Sequence, residues 1–298
     1  MVCAILSYNM VFIPRIDGES GAQGGAFMFN LFDSHVHSNN SFDGEHSVTF
    51  LCEKAVEAGL SGLCITDHCE LAEYEKGQFE TRITQSLFDV RKCKRIFSGR
   101  LAVSSGIELS DTLFDPALTD AVLQNFVFDM VMISHHNLAD GTDIYYIDFK
   151  EWSQREVEEY MTYYFTSLAA IAKENKFDTL GHLTYPLRYI CGKHQIALDL
   201  RRWDDLIEET LRIAAQNGKA IEMNTSGLFQ EIAETMPPCR YIKRFRELGG
   251  EYVTLGSDAH TAENVGRGIE TAMEMLLDAG FSCFTFYKQR QPLQLKII

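Results

Sequence analysis

Two histidines separated by a single residue stand in the stretch Asp33-Ser34-His35-Val36-His37. The stretch follows a short apolar run at 29–32 and precedes a loop at 38–45 that carries Asp43. Side chains at i and i+2 leave a β-strand on the same face. Two imidazoles aimed into one space from a strand end can chelate one metal ion, because neutral imidazole is a good lone-pair donor. Asp33 shares that face, and the expectation is that its carboxylate orients an imidazole instead of binding metal.

The surrounding pattern shows what must position these groups. Strands are expected at 29–37, 62–68, 101–109, 129–136, 179–183, 220–224 and 252–255, with a last apolar piece at 281–287. Helices are expected at 48–58, 84–97, 116–124, 153–174, 204–217, 241–248 and within 262–279. Loops are expected at 70–80, 137–150 and 184–200. Strands that alternate with helices predict a parallel sheet, and seven such units predict a distorted (β/α)7 barrel of the TIM-barrel type.

On that frame nearly every histidine falls at the carboxyl end of a strand: His35 and His37, His68, His135 and His136, His182, and His260. Glu108 and Asp258 hold the same kind of position, whereas His46 and His194 fall in loops. In a β/α barrel those strand ends converge on the mouth where active sites lie. One strand-end histidine is more often a hydrogen-bonded core residue than a ligand. Five strands delivering histidines to one end have no packing explanation. A His/Asp/Glu donor set without cysteine suits Zn²⁺, Mn²⁺ or Fe²⁺. The donors outnumber what one ion needs, so two or three divalent ions sharing bridges are expected, with the two oxygens of Glu108 as the bridge. Two ions about 3.5–4 Å apart clamp an in-line attack on phosphorus.

Composition narrows the partners. The chain has 298 residues, 46% of them hydrophobic, and a formal net charge of −15 from 27 basic and 42 acidic residues. One domain over 28–298 is expected, since barrels of roughly 200–250 residues form single domains. The acidic balance disfavours nucleic acid but leaves room for a small phosphorylated substrate, because bound cations invert the local field. No apolar run approaches the roughly 20 residues that span a bilayer, so no membrane partner is expected. The eight cysteines include no CxxC pair and read as buried reduced thiols of a cytoplasmic protein. Residues 1–27 are Gly-rich, with an apolar part broken by Ser7, Asn9 and Arg15. They are expected to be a disordered or non-native extension ahead of a start at Met28, in preference to a secretory signal.

Six pieces in order, Asp-x-His-x-His (33–37), Thr-Asp-His (66–68), Gly-Ile-Glu (106–108), Ser-His-His (134–136), Gly-His (181–182) and Ser-Asp-Ala-His (257–260), resemble the PHP family, named for polymerase and histidinol phosphatase. Glu-Met-Asn-Thr-Ser-Gly (222–227) and the tail at 284–292 are similar to its histidinol-phosphatase-like branch. The resemblance implies the PHP fold, a distorted seven-stranded barrel with a trinuclear site. It implies His35, His37, Glu108 and Asp258 at the first metal, and Asp43, His68 and His260 at the second. Glu108, His136 and His182 would hold the third, with His135 competing for the place of His136. It further implies hydrolysis of a phosphate monoester, histidinol phosphate, by a metal-bridging hydroxide set among Glu108, Asp258 and His260. Arg188 and then Arg267 are the expected phosphate clamps, and His194, His135 or a metal-bound water the proton donor. Glu70, Glu73, Tyr74, Asp140, Asp143, Tyr145 and Tyr146 are the expected pool for binding the rest of the substrate. The rival readings are a phosphoesterase for another small metabolite or nucleotide, a metal-dependent amide or deaminating hydrolase, and a non-catalytic barrel that uses metal for stability. The second lacks the strand-end lysine that such barrels use.

Overall fold

The computed structural model describes residues 30–297, so the expectation for 1–27 lies outside the described residues. The chain runs β1 (Phe32–Val36), α1 (Val48–Glu57), β2 (Gly62–Ile65), β3 (His68–Glu70), α2 (Phe79–Ile96), β4 (Ala102–Ser110), α3 (Pro116–Asn125) and β5 (Met130–Ser134). It continues through α4 (Gln154–Glu174), β6 (Thr179–Leu180), α5 (Asp204–Gln216), β7 (Ala220–Asn224), α6 (Cys239–Glu247), β8 (Val253–Gly256), α7 (Ile269–Asp278), β9 (Cys283–Lys288) and β10 (Gln291–Lys296). The sheet order is β1-β2-β4-β5-β6-β7-β8-β9-β10, with β3 beside β4. Every pairing is parallel except the β9–β10 hairpin.

β1 also meets the segment that follows β8. Asp258 N donates to His35 O at 2.9 Å and His37 N to Ala259 O at 2.8 Å. Asp33 adds side-chain links: its carboxylate accepts from Ser257 N at 2.9 Å, Ser257 Oγ at 2.5 Å and Gly266 N at 2.8 Å. This corrects the expected role of Asp33. Its partners are backbone amides, including its own neighbour His35 N, and a hydroxyl, so it ties β1 to the segment after β8 and orients no imidazole.

Local chemistry accounts for most element ends. Ser47 caps α1 by accepting from Phe50 N, and Asp115 caps α3 ahead of Pro116. Ser153 and Glu156 form a capping box at α4. Two departures from the sequence reading have physical reasons. The expected loop at 70–80 contains the end of β3, a short turn and the start of α2. The helix begins at Phe79 after Gln78, which is left-handed and makes no side-chain cap, so no start signal marks it. The tail after β9 forms β10 despite Pro292, because an edge strand can spare one N–H.

The amino-terminal end of the barrel is sealed by the tail. Asp129 accepts from Lys94 Nζ at 2.6 Å, Ser105 N at 3.0 Å and Gln289 N at 3.1 Å. Asp178 accepts from Val131 N at 2.8 Å and pairs with Arg290. Among the described residues, no helix is long and apolar enough to cross a membrane.

Candidate metal centre

The histidines placed at strand ends by their spacing converge. His35 and His37 bring their Nε2 atoms to 2.9 Å from each other. Each nitrogen lies 3.4 Å from Glu108 Oε2 and 3.5 Å from Asp258 Oδ1. Two lone-pair nitrogens facing two carboxylate oxygens form a four-donor cage. Asp258 reaches it from a left-handed backbone at φ 55°, a conformation that Asp tolerates better than most residues.

Two further groups adjoin that cage. On one side, Asp43 Oδ2 lies 3.2 Å from His260 Nε2 and 3.6 Å from His68 Nε2, and these two nitrogens are 3.4 Å apart. On the other side, Glu108 Oε1 lies 2.8 Å from His182 Nε2 and 3.3 Å from His136 Nε2. Glu108 thus stands between them, with one oxygen toward His35 and His37 and the other toward His136 and His182. Ser134 Oγ donates to Oε1 at 2.6 Å, while the buried Oε2 makes no hydrogen bond. An orphaned carboxylate oxygen ringed by imidazole nitrogens fits a divalent cation. The sets close enough to share one contain His, Asp and Glu and no cysteine.

Electrostatics agree. Burial alone would raise the Glu108 carboxyl, but His35, His68 and His136 outweigh it and hold it well below the usual range. Asp258 is depressed in the same way, against burial, by His35 and Arg188. His37 is pushed well below its ordinary value by burial and by His260 and His68. Groups that share charge so closely exchange protons for metal readily, since cation binding requires neutral imidazole and ionised carboxylate.

Carboxylates behind the cage fix its aim. Glu222 Oε1 lies 2.7 Å from His35 Nδ1, and its other oxygen accepts from His182 N at 2.7 Å. It is buried in β7 beneath Gly256, where a Cβ would come within 2.2 Å of Glu222 Oε1. Sequence reasoning used Glu222 only as a family marker. The signal was available, because a carboxylate in a strand of otherwise buried residues needs a partner. Glu70 corrects a second expectation. It is not free for substrate: it lies 3.2 Å from His136 Nδ1 and 3.3 Å from His68 Nδ1. Tyr185, also unforeseen, covers His182 and His136 with ring centroids at 4.7 and 4.9 Å.

The remaining expected residues divide. Arg188 reaches the cage: its Nη2 donates to Asp258 Oδ2 and to Ser226 Oγ, each at 2.7 Å, and its Nε is buried without a partner. Arg267 does not. It is exposed, stacked on Phe229 at 3.8 Å and bonded to Asn264. Of the Ser-His-His pair, His136 enters the cluster. His135 stacks on Tyr164 at 5.4 Å, with neither nitrogen hydrogen-bonded and Nδ1 3.9 Å from Asp111 Oδ1. His194 pairs with Asp148 at 3.1 Å and rests against Phe149, so its contacts lie outside the cluster.

Known proteins match this chain along nearly its whole length. Probable histidinol-phosphatase of Thermotoga maritima is 29% identical over 259 residues, covering 84% of this chain and 93% of the relative. Histidinol-phosphatase of Lactococcus lactis is 27% identical over 256 residues, covering 84% of this chain and 91% of the relative. In fold, the chain is similar to the crystal structure of histidinol phosphate phosphatase from Lactococcus lactis complexed with zinc, L-histidinol and phosphate. The TM-score is 0.74 at 20% identity, over 89% of this chain and 99% of that one. The putative histidinol phosphatase of Listeria monocytogenes superposes with a TM-score of 0.66 at 20% identity, over 80% of this chain and 99% of that one. The PHP domain model matches residues 33–226, well over half of the sequence, and the protein belongs to the PHP domain family.

Proposed function

We propose that the protein is a metal-dependent phosphate monoesterase that hydrolyses L-histidinol phosphate to L-histidinol and phosphate. The observation that carries the reaction class is the cage itself: Glu108 with one oxygen toward each set of imidazoles, and Arg188 held at its rim by Asp258. The substrate rests on the relatives named histidinol-phosphatase and on the neighbour that holds zinc, L-histidinol and phosphate.

In this reading two or three divalent ions, zinc, manganese or iron, occupy the cluster. His35, His37, Glu108 and Asp258 hold the first, Asp43, His68 and His260 the second, and Glu108, His136 and His182 the third. When bound, such ions lower the pKa of water and supply hydroxide near neutral pH. Glu108, Asp258 and His260 would be the residues of this chain set around that hydroxide. Arg188 donates to the phosphoryl oxygens, with its unpartnered Nε the free donor, and stabilises the charge that grows on them in the transition state. The leaving alkoxide is assigned its proton from water in the site, because neither His135 nor His194 contacts the cluster. The free state of the seven described cysteines supports a cytoplasmic setting.

The test is phosphate release by the metal-loaded protein from L-histidinol phosphate, set against nucleotides and sugar phosphates. A clear preference for L-histidinol phosphate is expected. Equal slow rates on every ester would overturn the substrate. Fewer than two ions per chain in protein purified without chelator would overturn the multinuclear site.

A further inference from the structure

Glu70 ends β3, two residues past His68, and is buried. Its Oε1 accepts from His136 Nδ1 at 3.2 Å and lies 3.3 Å from His68 Nδ1. Its Oε2 accepts from Ser110 Oγ. The opposite nitrogens of the same two rings face different parts of the cluster. His68 Nε2 looks toward Asp43 and His260, while His136 Nε2 looks toward Glu108 and His182. One carboxylate oxygen therefore stands behind two imidazoles that serve different cation positions.

An imidazole that offers Nε2 as a lone pair carries its proton on Nδ1, and a buried N–H needs an acceptor. Glu70 is that acceptor for His136, while His68 Nδ1 makes no hydrogen bond and lies between two carboxylate oxygens, Glu108 Oε2 at 3.0 Å and Glu70 Oε1 at 3.3 Å. If Nδ1 of both rings points at Glu70 as N–H, Glu70 cannot join the same two nitrogens around another ion, because they have no lone pair left to give. The serine at 110 holds the carboxylate from its far side, so the group is fixed at both oxygens.

We propose that Glu70 is a positioning residue that sets the tautomer and aim of both His68 and His136, and so links the second and third cation positions. The proposal rests on the metal-centre reading above. It predicts that losing Glu70 weakens two positions together and spares the one built by His35, His37, Glu108 and Asp258, which Glu70 does not touch.

The experiment uses the full chain, stripped and titrated with Zn²⁺ against a chromophoric chelator, with bound zinc counted by elemental analysis. Glu70→Ala should weaken two of the bound zinc ions together by about 10–100-fold, the usual effect of removing a partner behind a ligand, with the remaining one unchanged. Turnover should fall while KM holds, because Arg188 is untouched. Glu70→Gln, whose amide oxygen still accepts, should recover part of both losses. Ser110→Ala loosens the carboxylate without deleting it and should shift zinc affinity the same way by less, which serves if Glu70→Ala does not fold. Zinc affinities within twofold of the parent in Glu70→Ala and Ser110→Ala would overturn the proposal. So would outright loss of one ion with the others unchanged, which would make Glu70 a ligand. Fewer than two zinc ions in the unmutated protein would instead overturn the metal-centre reading itself.

Discussion

Arg188 Nη2 lies 2.7 Å from Asp258 Oδ2, and the other oxygen of that carboxylate faces His35 and His37. A single aspartate thus joins the imidazole cage to the guanidinium at its rim. Arg188→Ala removes the donor proposed for the phosphoryl oxygens and takes the guanidinium away from Asp258. Steady-state assays should show kcat/KM lowered by about 10²–10³-fold, the scale of losing a transition-state donor. Arg188→Lys should recover only part, because an ammonium cannot reproduce the planar fork. Arg267→Ala should stay within about twofold, since a surface arginine away from the cluster sits outside the short list of large effects. A loss for Arg267→Ala equal to that for Arg188→Ala would reverse the assignment.

His135 and His136 are adjacent yet point to different surroundings. His136 faces Glu108 and His182, and His135 stacks on Tyr164. His136→Ala should lower both zinc content and turnover, the latter by more than the about 10–100-fold typical of partners behind ligands. His135→Phe keeps a ring on Tyr164 and removes two buried nitrogens that make no hydrogen bond, at the loss of only a 3.9 Å contact with Asp111, so activity should hold and thermal stability should hold or rise. Parallel activity assays and melting curves on the two variants decide it. Equal inactivation would mean that His135 also serves the site.

Glu222 holds His35 from behind at 2.7 Å and also accepts from His182 N. It therefore holds the ring of His35 and the backbone of His182, which stand on opposite sides of Glu108. Glu222→Gln should leave the packing in β7 intact but weaken the charge-assisted contact to Nδ1, lowering zinc affinity by about 10–100-fold. Isothermal titration of the stripped protein with Zn²⁺ reads this directly. Unchanged affinity would show that packing alone aims His35.

Much of this arrangement was legible because the donors sit where strands end. His35, His37, His68, Glu108, His136, His182, Asp258 and His260 follow apolar stretches of strand length, and a parallel barrel brings such ends together. Which of two adjacent residues faces inward was less legible. His135 and His136 differ by one step of a period-two pattern at a strand terminus, where the twist varies. Asp33 misled for a related reason. The pairing of β1 with β2 shifts register between Asp33 and Val36, so the two-residue spacing to His35 did not place its carboxylate on a ring. Glu70 was read as loop because the polar run after it hid a three-residue strand. Arg267 could not be separated from Arg188 by sequence, since whether a guanidinium turns inward depends on what else can hold it. Phe229 and Asn264 hold Arg267 outside.

The opposite end of the barrel offers a pH-dependent prediction independent of the metal centre. Burial alone would raise the Asp129 carboxyl, but Lys94 and the amides of Ser105 and Gln289 hold it below its ordinary value. A carboxylate with a depressed native pKa binds protons more weakly folded than unfolded. Its stabilisation is therefore present in full above the unfolded value and is lost as pH falls through the folded one. Asp129→Ala removes it at every pH and leaves four donors, Lys94 Nζ, Ser105 N and Oγ, and Gln289 N, without their acceptor, so it should cost about 1–3 kcal/mol near neutral pH. The deficit against the parent should shrink as pH falls below about 4, the ordinary aspartate range. Strand ends at this face set stability and those at the other set chemistry, so turnover of the folded variant at low temperature should match the parent. Urea unfolding from pH 7 down to pH 3, paired with phosphate-release assays, measures both. A deficit that stays constant across that range would show that Asp129 acts through shape and not through its charge.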